Sequence, residues 1–159
     1  MTAKDILQNA YSISGQFISN PVGIRLINNA IDLLVYRHET ASIIQEIPVV
    51  IEDNFYYIGD AIGVKRIVKD NKAYRDYKIQ GDHILFDDTG EYTLYIFPKP
   101  VEVASVNDEP DINQSYHPIL ELYVASRIPR PYDRELEQEF FQLAAEIDLR
   151  LKRGKQKNI

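Results

Sequence analysis

Apolar residues in the first part of the chain recur three and four positions apart, which is the spacing of an amphipathic α-helix. Two such stretches follow each other, with apolar positions at Ala3, Ile6, Leu7, Ala10, Ile13 and Phe17, and then at Ile24, Ile27, Ala30, Ile31 and Leu34. Thr2 and Asp5 have the spacing of a capping box. Asn20-Pro21 combines a favoured N-cap with a residue suited to the first helical turn. The pattern predicts two helices in residues 1–40, packed together as a hairpin.

The hydrophobic period changes to that of β-strands from about Ser42. Short runs rich in β-branched and aromatic residues then alternate with turn-forming residues as far as Pro98-Lys99-Pro100. In the last run, apolar and aromatic residues occupy both alternating sets of positions, so we expect this strand to be covered on both faces. We therefore predict a small antiparallel sheet, built from hairpins, in residues 41–100.

Helical spacing returns after a polar linker in residues 101–113. Ser115 is expected to cap a third helix, Pro129-Arg130-Pro131 to end it, and Asp133 to cap a fourth. The fourth helix has an apolar face formed by Leu136, Phe140, Leu143, Ile147 and Leu151. The fold class is thus α+β, a helical bundle of two N-terminal and two C-terminal helices with a small antiparallel β-sheet insertion. We expect one domain over 1–159, with parts at 1–40, 41–100 and 114–152 and a flexible basic tail at 153–159.

Composition restricts the chemistry of the chain. It has no cysteine, which excludes a disulfide framework, a thiolate metal site and a cysteine nucleophile, and which fits a reducing cytoplasm. The formal net charge of −6 disfavours a general nucleic-acid binder, because neutralising phosphates needs a basic face. No apolar run approaches the roughly 20 residues of a membrane span. The N-terminus also lacks the basic and apolar regions of a signal peptide.

No group of residues has the spacing of a catalytic or cofactor site. The three histidines lie in three different predicted elements, without metal-ligand spacing: His38, His83 and His117. Three acidic pairs fall in predicted turns, where solvation and local capping account for them: Glu52-Asp53, Asp87-Asp88 and Asp108-Glu109. The glycines form neither a dinucleotide fingerprint nor a Walker loop. We therefore expect no enzyme activity, no cofactor and no metal.

Two groups of residues are candidates for binding a partner. The basic group near the C-terminus consists of Lys152, Arg153, Lys155 and Lys157. It can dock on an acidic partner or touch DNA, or it can simply favour a helix C-terminus and keep the chain end soluble. The aromatic group consists of Phe55, Tyr56 and Tyr57. It is either a core strand or a partner-facing strand, and the sequence leaves both interpretations open.

Two longer stretches carry a resemblance to a known family. The first is YRDYKIQGDHILF at 74–86, followed by GEYTLY at 90–95 and by Pro98. The second is YHPILELYVASRI at 116–128, followed by the long helix with Phe140 and Phe141. Together they resemble the head-to-tail adaptor (connector) proteins of tailed bacteriophages, in which a helical pair, a small β insertion and a second helical pair form one protomer. The proline-rich break at 129–131 is sharper than the family pattern.

The resemblance implies a structural protein of the virion neck, made in the cytoplasm of the host bacterium. It implies a homo-oligomeric ring of about a dozen copies, a dodecamer, between the portal protein and the next neck or tail protein. Genomic DNA would pass through the channel without specific binding, no membrane would be involved, and the family has no catalytic residues to carry over. The residues alone leave two alternatives, a cytoplasmic protein-binding module or phage-encoded regulator without a particle role, and a small hydrolase with a carboxylate site.

Overall fold

The structure, a computed structural model, describes the backbone of residues 1–157 and the side chains of residues 1–154. The predicted α+β class is confirmed, since four α-helices and two antiparallel sheets occur within these residues. The chain divides into two compact units. We call Met1–Ser42 with Pro100–Ile159 the helical unit, and Ile43–Lys99 the β unit. The predicted β insertion, 41–100, has nearly the same bounds as the β unit.

The helical unit is organised around its third helix. Its helices are α1 (Ala3–Ser14), α2 (Asn20–Arg37), α3 (Leu120–Arg127) and α4 (Arg134–Lys157), with 3₁₀ turns at Glu39–Ala41 and Gln114–Ile119. We predicted that α1 and α2 pack mainly against each other as a hairpin. This is wrong, because both helices pack chiefly against α3. The reason is that α3 is buried on several sides, through Leu120, Tyr123, Val124, Ala125 and Ser126.

Two of the predicted helix caps are confirmed by their hydrogen bonds. The Thr2 hydroxyl accepts from the Asp5 amide at 3.3 Å, while the Asp5 carboxylate accepts from the Thr2 amide at 2.8 Å. The Asp133 carboxylate accepts from the amides of Glu135 and Leu136, both at 3.1 Å. These side chains satisfy donors that the first helical turn leaves without a partner.

The other two predicted caps differ from the structure. Asn20 is the first residue of α2, and Ser19 precedes it as the N-cap. Ser115 caps no α-helix, since it lies in a 3₁₀ turn whose cap is Asn113. Pro118 lies inside that turn, and its ring disfavours an α-helical backbone conformation at the preceding His117. The α-helical part therefore begins only at Leu120.

The fourth helix continues past its predicted end at residue 152. It runs through Lys157 and so includes most of the predicted flexible tail, 153–159. Basic residues favour a helix C-terminus through the helix dipole, which explains why this segment extends the helix. Residues 158–159 lie outside the described residues.

The β unit contains two sheets where the sequence predicted one. The strands are β1 (Gln45–Ile51), β2 (Phe55–Tyr57), β3 (Gly63–Lys69), β4 (Lys72–Tyr74), β5 (Tyr77–Gln80), β6 (His83–Phe86) and β7 (Gly90–Phe97). One sheet has the order β1-β7-β3-β4 and the other the order β2-β6-β5, all pairs being antiparallel. Both sheets contribute to one core of Ile51, Ile67, Ile84, Phe86, Tyr92, Leu94 and Ile96.

Strand β7 is buried on one face and half-buried on the other. Tyr92, Leu94 and Ile96 face the core, whereas Thr93, Tyr95 and Phe97 are half-buried and Glu91 is exposed. The prediction that this strand is covered on both faces is therefore confirmed for the core face and is only partly correct for the other face. Its second face belongs to the outer side of the four-stranded sheet.

Candidate functional site

The predicted aromatic group divides between the two faces of its strand. Successive side chains of a strand point to opposite sides, so Phe55 and Tyr57 lie on one side of β2 and Tyr56 on the other. Phe55 is 51% exposed and Tyr57 is 60% exposed, while Tyr56 packs against the core of the β unit. The core interpretation is therefore correct for Tyr56, whereas Phe55 and Tyr57 are exposed and their binding of a partner stays a prediction.

Strand β6 completes an exposed face with these two aromatic side chains. The strand register places His83 opposite Tyr57 and Leu85 opposite Phe55. The His83 ring centroid lies 5.7 Å from that of Phe55 and 5.4 Å from that of Tyr57. We call Phe55, Tyr57, His83 and Leu85 the aromatic face. Isolated exposed apolar side chains are ordinary, but a contiguous set is typical of a protein-binding surface.

A second apolar surface lies on the helical unit beside α1. Leu7, Tyr11, Phe17, Ile18 and Val106 line a groove with a cavity volume of about 510 Å³, which we call the α1 groove. The sequence placed Phe17 on the buried stripe of the first helix, and this is wrong, because Phe17 is 82% exposed. The helix ends at Ser14 and Gly15 follows with φ of +69°, a left-handed conformation that suits glycine. Phe17 is consequently outside the helix.

The predicted basic group is only partly available to a partner. The Lys152 ammonium lies 2.8 Å from the Asp148 carboxylate, so this cation already has a partner within the helical unit. Arg153 is exposed. Lys155 and Lys157 belong to α4, but their side chains lie outside the described residues. The basic group and the aromatic group are in different units.

Asp148 is the centre of a buried polar cluster that sequence reasoning missed. It is 7% exposed and accepts a hydrogen bond of 2.6 Å from the Thr40 hydroxyl. Because Thr40 donates its only proton there, the Tyr116 hydroxyl donates to Thr40, also at 2.6 Å. His38 Nδ1 lies 3.6 Å from the second carboxylate oxygen. Tyr116 and Asp148 lie 76 and 108 positions after Thr40 in the sequence, so no local signal connects them with Thr40.

The charge of Asp148 is stabilised by the same contacts. Burial alone raises the pKa of this carboxyl, but the hydrogen bonds from Lys152 and Thr40 outweigh it and hold the pKa below its ordinary value. A buried carboxylate with several donors is satisfied and rigid. It fastens α4 to the end of α2 and to the 3₁₀ turn that carries Tyr116, which is a structural role.

The acidic pairs remain turn residues in the structure. Glu52, Asp53, Asp87 and Asp88 are exposed. The Asp108 carboxylate accepts from the backbone amides of Ala104 and Ser105, and these hydrogen bonds lower its pKa. Within the described part of the chain, no group of three histidine or acidic side chains is placed to hold a metal ion. No described helix is both long and apolar enough to cross a membrane.

His117 makes the stability of the helical unit depend on pH. It is 5% exposed and its Nε2 donates to the Ile112 carbonyl at 3.2 Å. Burial lowers its pKa below the ordinary 6.5, so the unfolded chain binds more protons below that pH. We expect this contribution to the free energy of unfolding to be complete above pH 6.5 and to be lost as pH falls through the folded-state pKa.

Urea unfolding between pH 7 and pH 5 measures this effect, with a His117→Gln variant as the control. The glutamine side chain keeps an amide donor but cannot titrate. The variant should show a weaker dependence of stability on pH in this range. Equal slopes for both proteins would contradict the assignment to His117.

Each unit thus has an exposed apolar surface, the α1 groove on the helical unit and the aromatic face on the β unit, and the helical unit also has a basic helix end. The sequence matches no protein-family model, and no curated protein matches it significantly.

Proposed function

We propose that this protein is a structural head-to-tail adaptor of a tailed phage or prophage. It forms a ring under the portal, extends the DNA channel and joins the head to the tail. The observation that carries the proposal is the exposure of an apolar surface on each unit, the α1 groove and the aromatic face. An adaptor in a ring needs two different surfaces for its neighbouring copies, because head-to-tail contacts use two distinct patches, and it needs further surfaces for the portal and for the next neck or tail protein.

The residues of the aromatic face have the composition of an interface centre. Aromatic side chains provide a large, rigid contact area and are enriched at protein interfaces. Phe55 and Tyr57 project from β2, which is only three residues long and forms the edge of its sheet. So short an edge offers few backbone groups for adding a strand, so binding through the side chains of the face is favoured.

The arrangement of the chain supports the same proposal. The helical unit is built from both ends of the described sequence, and the β unit is inserted between them. This is the order of elements in the adaptor proteins that the sequence resembles. The net charge of −6 also suits a wall along which DNA slides, since it gives phosphates no general attraction.

The proposal is tested by quantitative mass spectrometry of purified virions or induced prophage particles from the source strain. We expect this protein at the copy number of the portal protein. Its absence from particles, with the protein abundant in the lysate, would overturn the adaptor proposal. The cytoplasmic binding module or phage-encoded regulator would then be the better interpretation.

The aromatic face gives a residue-level prediction for the same particles. A double variant, Phe55→Ser with Tyr57→Ser, should lower incorporation at least tenfold, since loss of a buried aromatic anchor costs about 2 kcal/mol of binding or more. Tyr36→Ser is the matched control, because Tyr36 is 69% exposed and lies outside both named surfaces. Circular dichroism of the purified variants checks that they fold. Equal incorporation of both variants would contradict a role for this face.

A further inference from the structure

The outer side of the four-stranded sheet carries a shallow groove that the proposed function does not use. Pro48 and Val50 on β1, Val68 on β3 and Thr93 on β7 lie on this side, away from the core. The groove has a cavity volume of about 480 Å³. Val50 is 64% exposed, so the apolar floor of the groove is open to solvent. We call this surface the sheet groove.

The rim of the sheet groove is acidic. Glu91 lies opposite Val50 in the strand register, and Asp70 lies in the turn between β3 and β4. Both are exposed, and neither forms an ion pair with any described residue. An apolar floor with two carboxylates at its rim is complementary to an apolar side chain flanked by cations.

The C-terminal part of α4 presents that complement. Leu149 is 53% exposed, and the neighbouring Arg150 and Arg153 are exposed as well. Residues 149 and 153 are four positions apart and therefore lie on the same side of the helix. Lys152 is paired with Asp148, whereas neither arginine has an ion pair among the described residues. This part of α4 thus offers one exposed leucine and two exposed arginines without an ion pair among the described residues, with exposed Glu146 four positions before Arg150.

We propose that the sheet groove of one copy of this chain binds the Leu149–Arg153 end of α4 from a second copy. The inference rests on the proposed ring and identifies one contact between its subunits. It is a head-to-tail contact, because each copy would use its groove for one neighbour and its helix end for the other. Pro48 in the middle of the edge strand lacks an amide donor, which disfavours strand addition and favours docking of side chains.

Disulfide trapping tests the contact directly, because the chain contains no cysteine of its own. A full-length chain with Val50→Cys is mixed at high concentration with a differently tagged chain carrying Leu149→Cys, and the mixture is oxidised. Only contact between copies can join these two chains. We expect the mixed disulfide in at least fivefold higher yield than with a Val101→Cys chain in place of Leu149→Cys. Val101 is 73% exposed and lies outside both proposed surfaces.

Charge reversal separates specific docking from random collision. Glu91→Lys in the Val50→Cys chain should lower the yield severalfold, and Arg150→Glu in the other chain should restore it, because the pair of opposite charges is regained. High salt should lower the yield of the unreversed pair. Equal yields with Val101→Cys, or no effect of either reversal, would overturn the inference.

The outcome is distinguishable from that of the proposed function. Trapping failure with portal-matched copy number in particles would overturn this contact and leave the adaptor role intact. Trapping success with the protein absent from particles would keep the contact and overturn the adaptor role. Duplex DNA that binds through Arg150 and Arg153, with trapping unaffected by Glu91→Lys, would assign the helix end to nucleic acid and overturn the contact.

Discussion

Replacing Phe140 with alanine is expected to lower the free energy of unfolding of the helical unit by about 3–5 kcal/mol. Phe140 is fully buried on the inner face of α4. Its ring centroid lies 5.3 Å from that of Tyr123 on α3 and 5.1 Å from that of Phe141. The substitution removes these contacts and leaves a cavity where α4 packs on the central helix. Denaturant unfolding measures the loss, and amide hydrogen exchange in α3 and α4 locates it.

Phe17→Ala is the matched control for this experiment. The same side chain is removed, but Phe17 is 82% exposed and makes little contact with the core. Its replacement should change the free energy of unfolding by no more than about 0.5 kcal/mol. Losses of similar size in the two variants would show that Phe140 does not hold α4 on α3.

The position of Phe140 was predictable because it depends on local pattern. Phe140 is one of the apolar residues that recur at helical spacing in α4, and the cap at Asp133 fixes where that helix begins. The capping box of Thr2 and Asp5 was predictable for the same reason, since its partners are three residues apart. Spacing within one element is sufficient evidence for these features.

Features that depend on distant parts of the chain were not predictable. The Thr40, Tyr116 and Asp148 cluster joins three segments, and each residue taken alone looks like an ordinary polar position. The apolar stripes of α1 and α2 indicate buried faces, but nothing in either stripe says that the face meets α3. The same limit applies to the two sheets, because short strands reveal their character and not their partners.

The candidate surfaces depend partly on local spacing, which is predictable, and partly on pairing with distant parts of the chain, which is not. Alternation along β2 predicts that Phe55 and Tyr57 lie on the same side of the strand. Which side is exposed depends on the pairing of β2 with β6, and the same pairing places the His83 ring in contact with both aromatic rings. Phe17 lies outside the predicted apolar stripe, because α1 ends at Ser14, before Gly15, and so ends earlier than the apolar spacing predicts. A glycine directly after the last helical residue was the available signal for that helix end.

A Leu94→Ala variant should lower the stability of the β unit by about 2–5 kcal/mol. Leu94 is fully buried on β7, where its register partners are Ile47 on β1 and Ile67 on β3. The two sheets share one core here, so the cavity removes contacts from both. Hydrogen exchange of the β1, β3 and β7 amides reports the change within this unit.

Val50→Ala is the control that separates the core of this sheet from its outer surface. Val50 lies on β1 with its side chain 64% exposed, so its replacement should change stability by no more than about 0.5 kcal/mol. Protection of the β7 amides should therefore fall with Leu94→Ala and persist with Val50→Ala. Equal protection in both variants would place Leu94 outside the core. If the contrast holds, Val50 can be replaced without unfolding the sheet, so disulfide trapping through Val50→Cys tests the outer surface of a folded sheet.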